Sequence, residues 1–143
     1  MNDRIIFHLA IPINDVAKAK IYYVDGLGCS VGRENDRAVI FQFYGHQVVA
    51  HMTKEPLTPQ QGIYPRHFGL IFPEEKYWSE LLARAKQKGL AFYQEPKLRF
   101  PNQLTEHKTF FLVDPFENLM EFKYYRHSEA IFAGREVVEI GDR

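Results

Sequence analysis

The sequence carries one pattern twice. His8 in FHLAIPI and His67 in RHFGLIF each sit in a short apolar run. Each is followed two residues later by a small residue (Ala10, Gly69), then by a proline (Pro12, Pro73), then by a helix-like stretch. A further polar donor comes later in each half on a strand-like run: His51 in QVVAHMT and Glu121 in NLMEFKYY. A chain built this way is constrained to two copies of one structural unit. Its recurring donors are arranged as ligands of a divalent metal would be.

Periodicity supplies the elements. Ile5–Ile13 reads as a first strand, with Ile6, His8 and Ala10 on one face and Phe7, Leu9 and Ile11 on the other. Asn14 is the expected N-cap of a helix, with Ala17, Ile21 and Val24 on its apolar stripe, ended by Gly26 and Gly28. Cys29–Glu34 and Arg37–Tyr44 read as strands joined by Asn35-Asp36, and His46–Thr53 as a fourth. The prolyl stretch 54–65 is the expected linker. The order then restarts. Arg66–Phe72 is strand-like, and a helix follows with Trp78, Leu81, Leu82 and Ala85 inside and Gly89 past its end. Strands are expected over 90–95, 108–113 and 118–125, with Asp114-Pro115 as a turn. Residues 96–107 read as a loop over a site, with His107 and His127 exposed. Of the tail, 126–143, only Ser128–Phe132 has helical character, while Ile131, Phe132, Val137, Val138 and Ile140 call for burial on the domain or a partner.

The fold class is therefore α+β: one domain over 1–143, with a first βαβββ module (5–53), a linker (54–65), a second module (66–125) and a tail (126–143). Two curved sheets of this kind make a cup, into which His8, His51, His67 and Glu121 can converge.

Composition excludes several classes. Lys plus Arg equals Asp plus Glu, at 18 each, so nothing argues for nucleic acid. No apolar run approaches the roughly 18 residues needed to span a bilayer, and the N-terminus lacks a secretory pattern. The lone Cys29 fits a reducing compartment, so a cytoplasmic protein is expected. HExxH, CxxC, P-loop, GxGxxG and GxSxG patterns are all missing.

Imidazoles and a carboxylate are the donors that hold Fe(II), Mn(II), Ni(II) or Zn(II). Two histidines and one carboxylate leave positions open for substrate, dioxygen or water, whereas a fourth protein donor favours Lewis-acid chemistry. A histidine in an apolar strand is, taken singly, more often a hydrogen-bonded core residue; the repeat is what raises the metal reading.

The stretches FHLAIPINDVAKAKIYYVDGLGC, FYGHQVVAHM, RHFGLIF and FFLVDPFENLMEFKYY resemble the vicinal oxygen chelate superfamily over about residues 5–125. That superfamily includes glyoxalase I, extradiol dioxygenases, fosfomycin-resistance enzymes and bleomycin-binding proteins. The DPFENLMEF segment is similar to its closing turn and last strand, with Glu117 where glycine is usual. The nearest resemblance is to single-module predicted extradiol-type dioxygenases. It implies a metal on His8, His67 and Glu121, with Fe(II) favoured. It implies that His51 is either a fourth ligand or the acid–base residue, a role suited to histidine because its titration lies near neutrality. Phe43, Tyr93 and Phe111 are the expected substrate contacts, in a cup wall that also draws on Gln42 and Phe100. Phe111 stands where extradiol enzymes commonly carry a tyrosine. The implied activity is oxygen-dependent cleavage of a small substrate with vicinal oxygens. The alternatives are a glyoxalase-like isomerase or lyase with a redox-inert metal, and a non-catalytic small-molecule binder. A homodimer is expected.

Overall fold

The computed structural model describes residues 5–132 and 140–141. The first module runs β1 (His8–Ile13), α1 (Val16–Lys20, continued by a π-helical turn Ile21–Gly26), β2 (Ser30–Glu34), β3 (Ala38–Phe43) and β4 (His46–Met52). The second repeats it as β5 (Phe68–Ile71), α2 (Glu75–Gln87), β6 (Phe92–Arg99), β7 (His107–Val113) and β8 (Leu119–Tyr125), followed by a short 3-10 turn, Ser128–Ile131. The two four-stranded sheets have the same order, β1-β4-β3-β2 and β5-β8-β7-β6. In each, the first strand pairs in parallel with the last, and the remaining pairs are antiparallel.

Local chemistry sets the boundaries. Asp15, one residue later than expected, is the N-cap; its carboxylate accepts the Lys18 N–H at 2.9 Å. The π-helical turn rotates the apolar stripe, so Ala19, Tyr22 and Tyr23 are buried while Ile21 is exposed. Asn35 closes the β2–β3 turn by accepting from the Arg37 and Ala38 amides. The β3–β4 hairpin turns on Tyr44-Gly45, both at positive φ, the pair of angles that matches strand twist. Pro96 does not end β6, which continues to Arg99 through two register shifts. As an edge strand it tolerates proline there. The loop before β7 is correspondingly shorter, 100–106.

Alternation sorts each sheet into two faces. Ile11, Ile13, Val39, Phe41, Val48 and Ala50 point inward from the first sheet, and Phe110, Leu112, Met120 and Phe122 from the second; all belong to one hydrophobic cluster. The two sheets thus share a core through the faces that also carry their helices. Phe43 packs on Phe68 and Phe122 across that junction. Tyr23 donates to Asp114 at 2.7 Å, and Arg84 of α2 donates to the carbonyls of Gly26 and Asp25, capping the end of the first module's helix. The opposite face of each sheet is left for other work.

Phe132 (96% exposed) and Ile140 (89%) are not buried within the chain, which leaves a partner as the surface that would cover them; Val137 and Val138 lie outside the described residues. No helix among the described residues is long and apolar enough to cross a membrane.

Candidate metal centre

On the outer face of the second sheet, His67 Nε2 lies 3.1 Å from Glu121 Oε1. His67 directly precedes β5, and Glu121 is in β8, paired with Gly69. A Cβ at position 69 would collide with the Glu121 backbone, so only glycine lets the two strands close up here. The far side of each donor is held. His67 Nδ1 bonds the Ile63 carbonyl at 2.7 Å, and Thr109 Oγ1 donates to Glu121 Oε2 at 2.6 Å. Phe111 is buried with the His67 ring against it in an edge-on contact, centroids 5.1 Å apart.

Without an ion, charge holds the pair together. The hydrogen bond to Glu121 raises the His67 pKa, against the lowering effect of burial. For Glu121, burial would raise the pKa, but the bonds from His67 and Thr109 and the nearby Lys123 ammonium outweigh it, and the carboxyl is held below its ordinary value. Glu121 is therefore an anion at only 9% exposure. The donor set fits a divalent cation that takes the place of the proton between His67 Nε2 and Glu121: an imidazole held through Nδ1 and a carboxylate held through its second oxygen both turn their remaining donor atom to one point.

His8 is on the outer face of the first sheet. It pairs with Gln47 on β4, and its Nδ1 is 2.6 Å from Gln47 Oε1. A cavity of about 290 Å³ opens on the same face, lined in part by Ile6, Gly32, Ile40, Gln42 and Gln47. His51 is exposed on this face too, but pairs with Pro12, four rungs from His8. Among the described residues, no group of three His, Cys, Asp or Glu side chains is close enough together to hold an ion. The structure therefore brings His67 and Glu121 together and leaves His8 and His51 apart from them.

Several expectations are corrected. In the pseudo-repeat Ala10 corresponds to Gly69, so the partner of Ala10, Val49, is the counterpart of Glu121. His51 is one step further along. Its Cα is about 14 Å from that of His8 by strand spacing, further than two imidazoles can span to one ion. Phe43, 2% exposed, is part of the core cluster and not of the face that carries His67 and Glu121. Tyr93 is exposed at a register shift and makes no ring contact or hydrogen bond with His67 or Glu121. His107 is buried at 7%, on the same face of β7 as Thr109 and Phe111, with its pKa lowered chiefly by burial. His107 was expected to be exposed and is buried, and Thr109 was not singled out, although period-two spacing from Phe111 marks both.

The family model of the Glyoxalase/Bleomycin resistance protein/Dioxygenase superfamily matches residues 5–122. No curated protein matches the chain. Among solved structures, a glyoxalase/bleomycin resistance protein/dioxygenase from Alicyclobacillus acidocaldarius is 39% identical, with a TM-score of 0.86, covering 92% of this chain and 100% of that one. The fosfomycin resistance protein FosX of Listeria monocytogenes is 14% identical (TM-score 0.67, 87% of this chain, 96% of that one) and shares the fold. So does a lactoylglutathione lyase from Agrobacterium tumefaciens, 18% identical (TM-score 0.64, 84% and 92%). The chain belongs to the glyoxalase/bleomycin resistance/dioxygenase superfamily.

Proposed function

We propose that this protein is a homodimeric, divalent-metal-dependent enzyme acting on a small substrate with two vicinal oxygens, in the manner of an extradiol-type dioxygenase with Fe(II). The observation that carries the reading is the preset His67–Glu121 pair, half of a two-histidine, one-carboxylate set. One chain presents two half-sites on faces that point away from its shared core. A twofold-related copy supplies the missing half of each: His8 of one copy, His67 and Glu121 of the other. The edges of β1 and β5, unpaired among the described residues, suit that closure, and a cleft of about 560 Å³ is lined by Ala10, Pro12, Thr53 and His67 among others. The lone buried Cys29 is compatible with the reducing cytoplasm that such a metal requires.

The bound metal supplies open positions that hold both reactants in one geometry. This chain's residues supply the rest. Val49 offers no donor at the place of a fourth ligand, so the set stays at three. Phe111 walls the His67 side with an apolar ring. His51 lies too far along its strand to ligate, and in this reading it moves a proton at the rim of the site.

Subunit complementation tests the shared site. His8→Ala and His67→Ala should each lose metal, but a heterodimer of the two should bind one ion, because one of its two sites is intact. A heterodimer without metal would sink the shared-site reading, as would metal retained by both single variants. Oxygen uptake with a catecholic panel tests the chemistry.

A second reading has one observation in its favour. Phe111 cannot hydrogen-bond a substrate, and it stands where the extradiol resemblance calls for tyrosine. An isomerase or lyase with Mn(II), Ni(II) or Zn(II) is the result, and activity without oxygen would select it.

A further inference from the structure

We propose that Gln47 is a positioning residue for the metal ligand His8: its amide oxygen fixes the ring as the Nδ1–H tautomer and leaves Nε2 as the donor atom. The inference rests on the metal site proposed above but concerns a residue outside its ligand set. His8 and Gln47 are register partners on the parallel pair β1–β4, so their side chains rise from the same face side by side. The Nδ1···Oε1 separation is 2.6 Å, a short hydrogen bond. An amide oxygen can only accept. A ring nitrogen facing it must therefore carry the proton, and the neutral ring then has its lone pair on Nε2.

The second half-site provides an independent parallel. His67 also has Nδ1 against an oxygen, the Ile63 carbonyl at 2.7 Å, and also turns Nε2 to the site. A backbone carbonyl does for His67 what a side-chain amide does for His8. The difference follows from burial. His67 lies beside the linker, whose Ile63 carbonyl is within reach, whereas His8 is exposed on an edge strand and its Nδ1 meets the Gln47 side chain. Without Gln47, water would compete for both nitrogens and the ring would sample both tautomers and several orientations. Outer partners of this kind typically change metal affinity by about 10- to 100-fold when removed. Gln47 also lines the cavity that opens on this face.

Two readouts test the proposal on the full-length protein. The first needs no metal: the ¹⁵N shifts of the His8 ring in apo protein report its tautomer. Wild type should be Nδ1–H, and Gln47→Leu should lose that preference while the His67 ring signals stay as in wild type. The second is affinity for Mn(II), used as the probe ion. Gln47→Leu should bind it about 10- to 100-fold more weakly. Gln47→Glu, whose carboxylate also accepts from Nδ1–H, should restore binding. An Nε2–H tautomer in wild type would overturn the inference. So would Mn(II) affinity unchanged in Gln47→Leu when His8→Ala has lost it. If wild type binds no Mn(II) at all, the metal-site reading fails, while the tautomer experiment still decides what Gln47 does to the ring.

Discussion

Replacing Tyr23 by phenylalanine removes one oxygen from the seam between the two modules. Tyr23 and Asp114 are both buried, and the hydroxyl donates to Oδ2 at 2.7 Å. The carboxylate keeps three other donors: the Phe116 and Asn118 amides on Oδ1 and the Asn118 side chain on Oδ2. A hydrogen bond to a charged acceptor contributes about 1.5–3 kcal/mol, and one to a neutral acceptor about 0.5–1.5 kcal/mol. Burial raises the Asp114 pKa above its ordinary value, and the bond from Tyr23 is the largest influence holding it down. The sign follows. A raised pKa means the folded state binds a proton more readily than the unfolded one, so Asp114 disfavours folding above its pKa and that penalty fades as pH falls. Losing Tyr23 Oη raises the pKa further. Tyr23→Phe should therefore cost about 1.5–3 kcal/mol at pH 7, and less once Asp114 is protonated. Urea unfolding of both proteins across pH measures this, since titrations common to both cancel in the difference. A cost below about 0.5 kcal/mol at pH 7, or one that does not shrink on acidification, would refute the reasoning.

Thr109→Val keeps the volume but strips the donor from Glu121 Oε2. Metal affinity should fall about 10- to 100-fold in calorimetry, with the fold intact by circular dichroism. Glu117→Gly should stabilise, because Glu117 sits at φ 70°, where glycine is unstrained; a gain of about 1 kcal/mol in chemical denaturation is expected. His51→Ala should keep metal and lose turnover, and parallel metal analysis and activity measurements separate that outcome from a ligand's loss of both.

The repeat was legible because a histidine in an apolar strand stands out, and because its small neighbour recurs. Gly69 shows the reason for that neighbour: the strand carrying Glu121 passes too close for a side chain. Face was legible as well, since alternation depends only on odd or even position. Rung was not. Moving a strand by two residues preserves every face, so His51 and Val49 are equivalent to a periodicity argument, and only the parallel register of β1 with β4 separates them. Phe43 was misplaced for a related reason. Both faces of β3 are largely apolar, with Ala38 and Ile40 on one and Val39, Phe41 and Phe43 on the other, so hydrophobicity could not say which face met the core. The back-to-back packing of the modules rests on long-range contacts such as Phe43–Phe122 and Arg84–Gly26, which no local pattern encodes.

The same register leads to a final prediction. Val49 is to Ala10 what Glu121 is to Gly69, so Val49→Glu places a second carboxylate at the one position of the first sheet that repeats the donor geometry of the second. Val49 is 9% exposed, and an unpaired carboxylate there costs a few kcal/mol. The metal-free variant should therefore melt below wild type. A divalent ion should reverse that deficit, because ligands that bind only the folded state stabilise it in proportion to their affinity, and the variant's set has four donors rather than three. The fourth donor would also fill a position otherwise open to substrate or oxygen, so any oxygen-dependent turnover should drop while affinity for Zn(II) or Mn(II) rises. The assay is thermal unfolding with and without Mn(II), beside oxygen uptake. If metal stabilises Val49→Glu no more than it stabilises wild type, then Val49 does not face the ion, and the correspondence between the two halves fails at its most specific point.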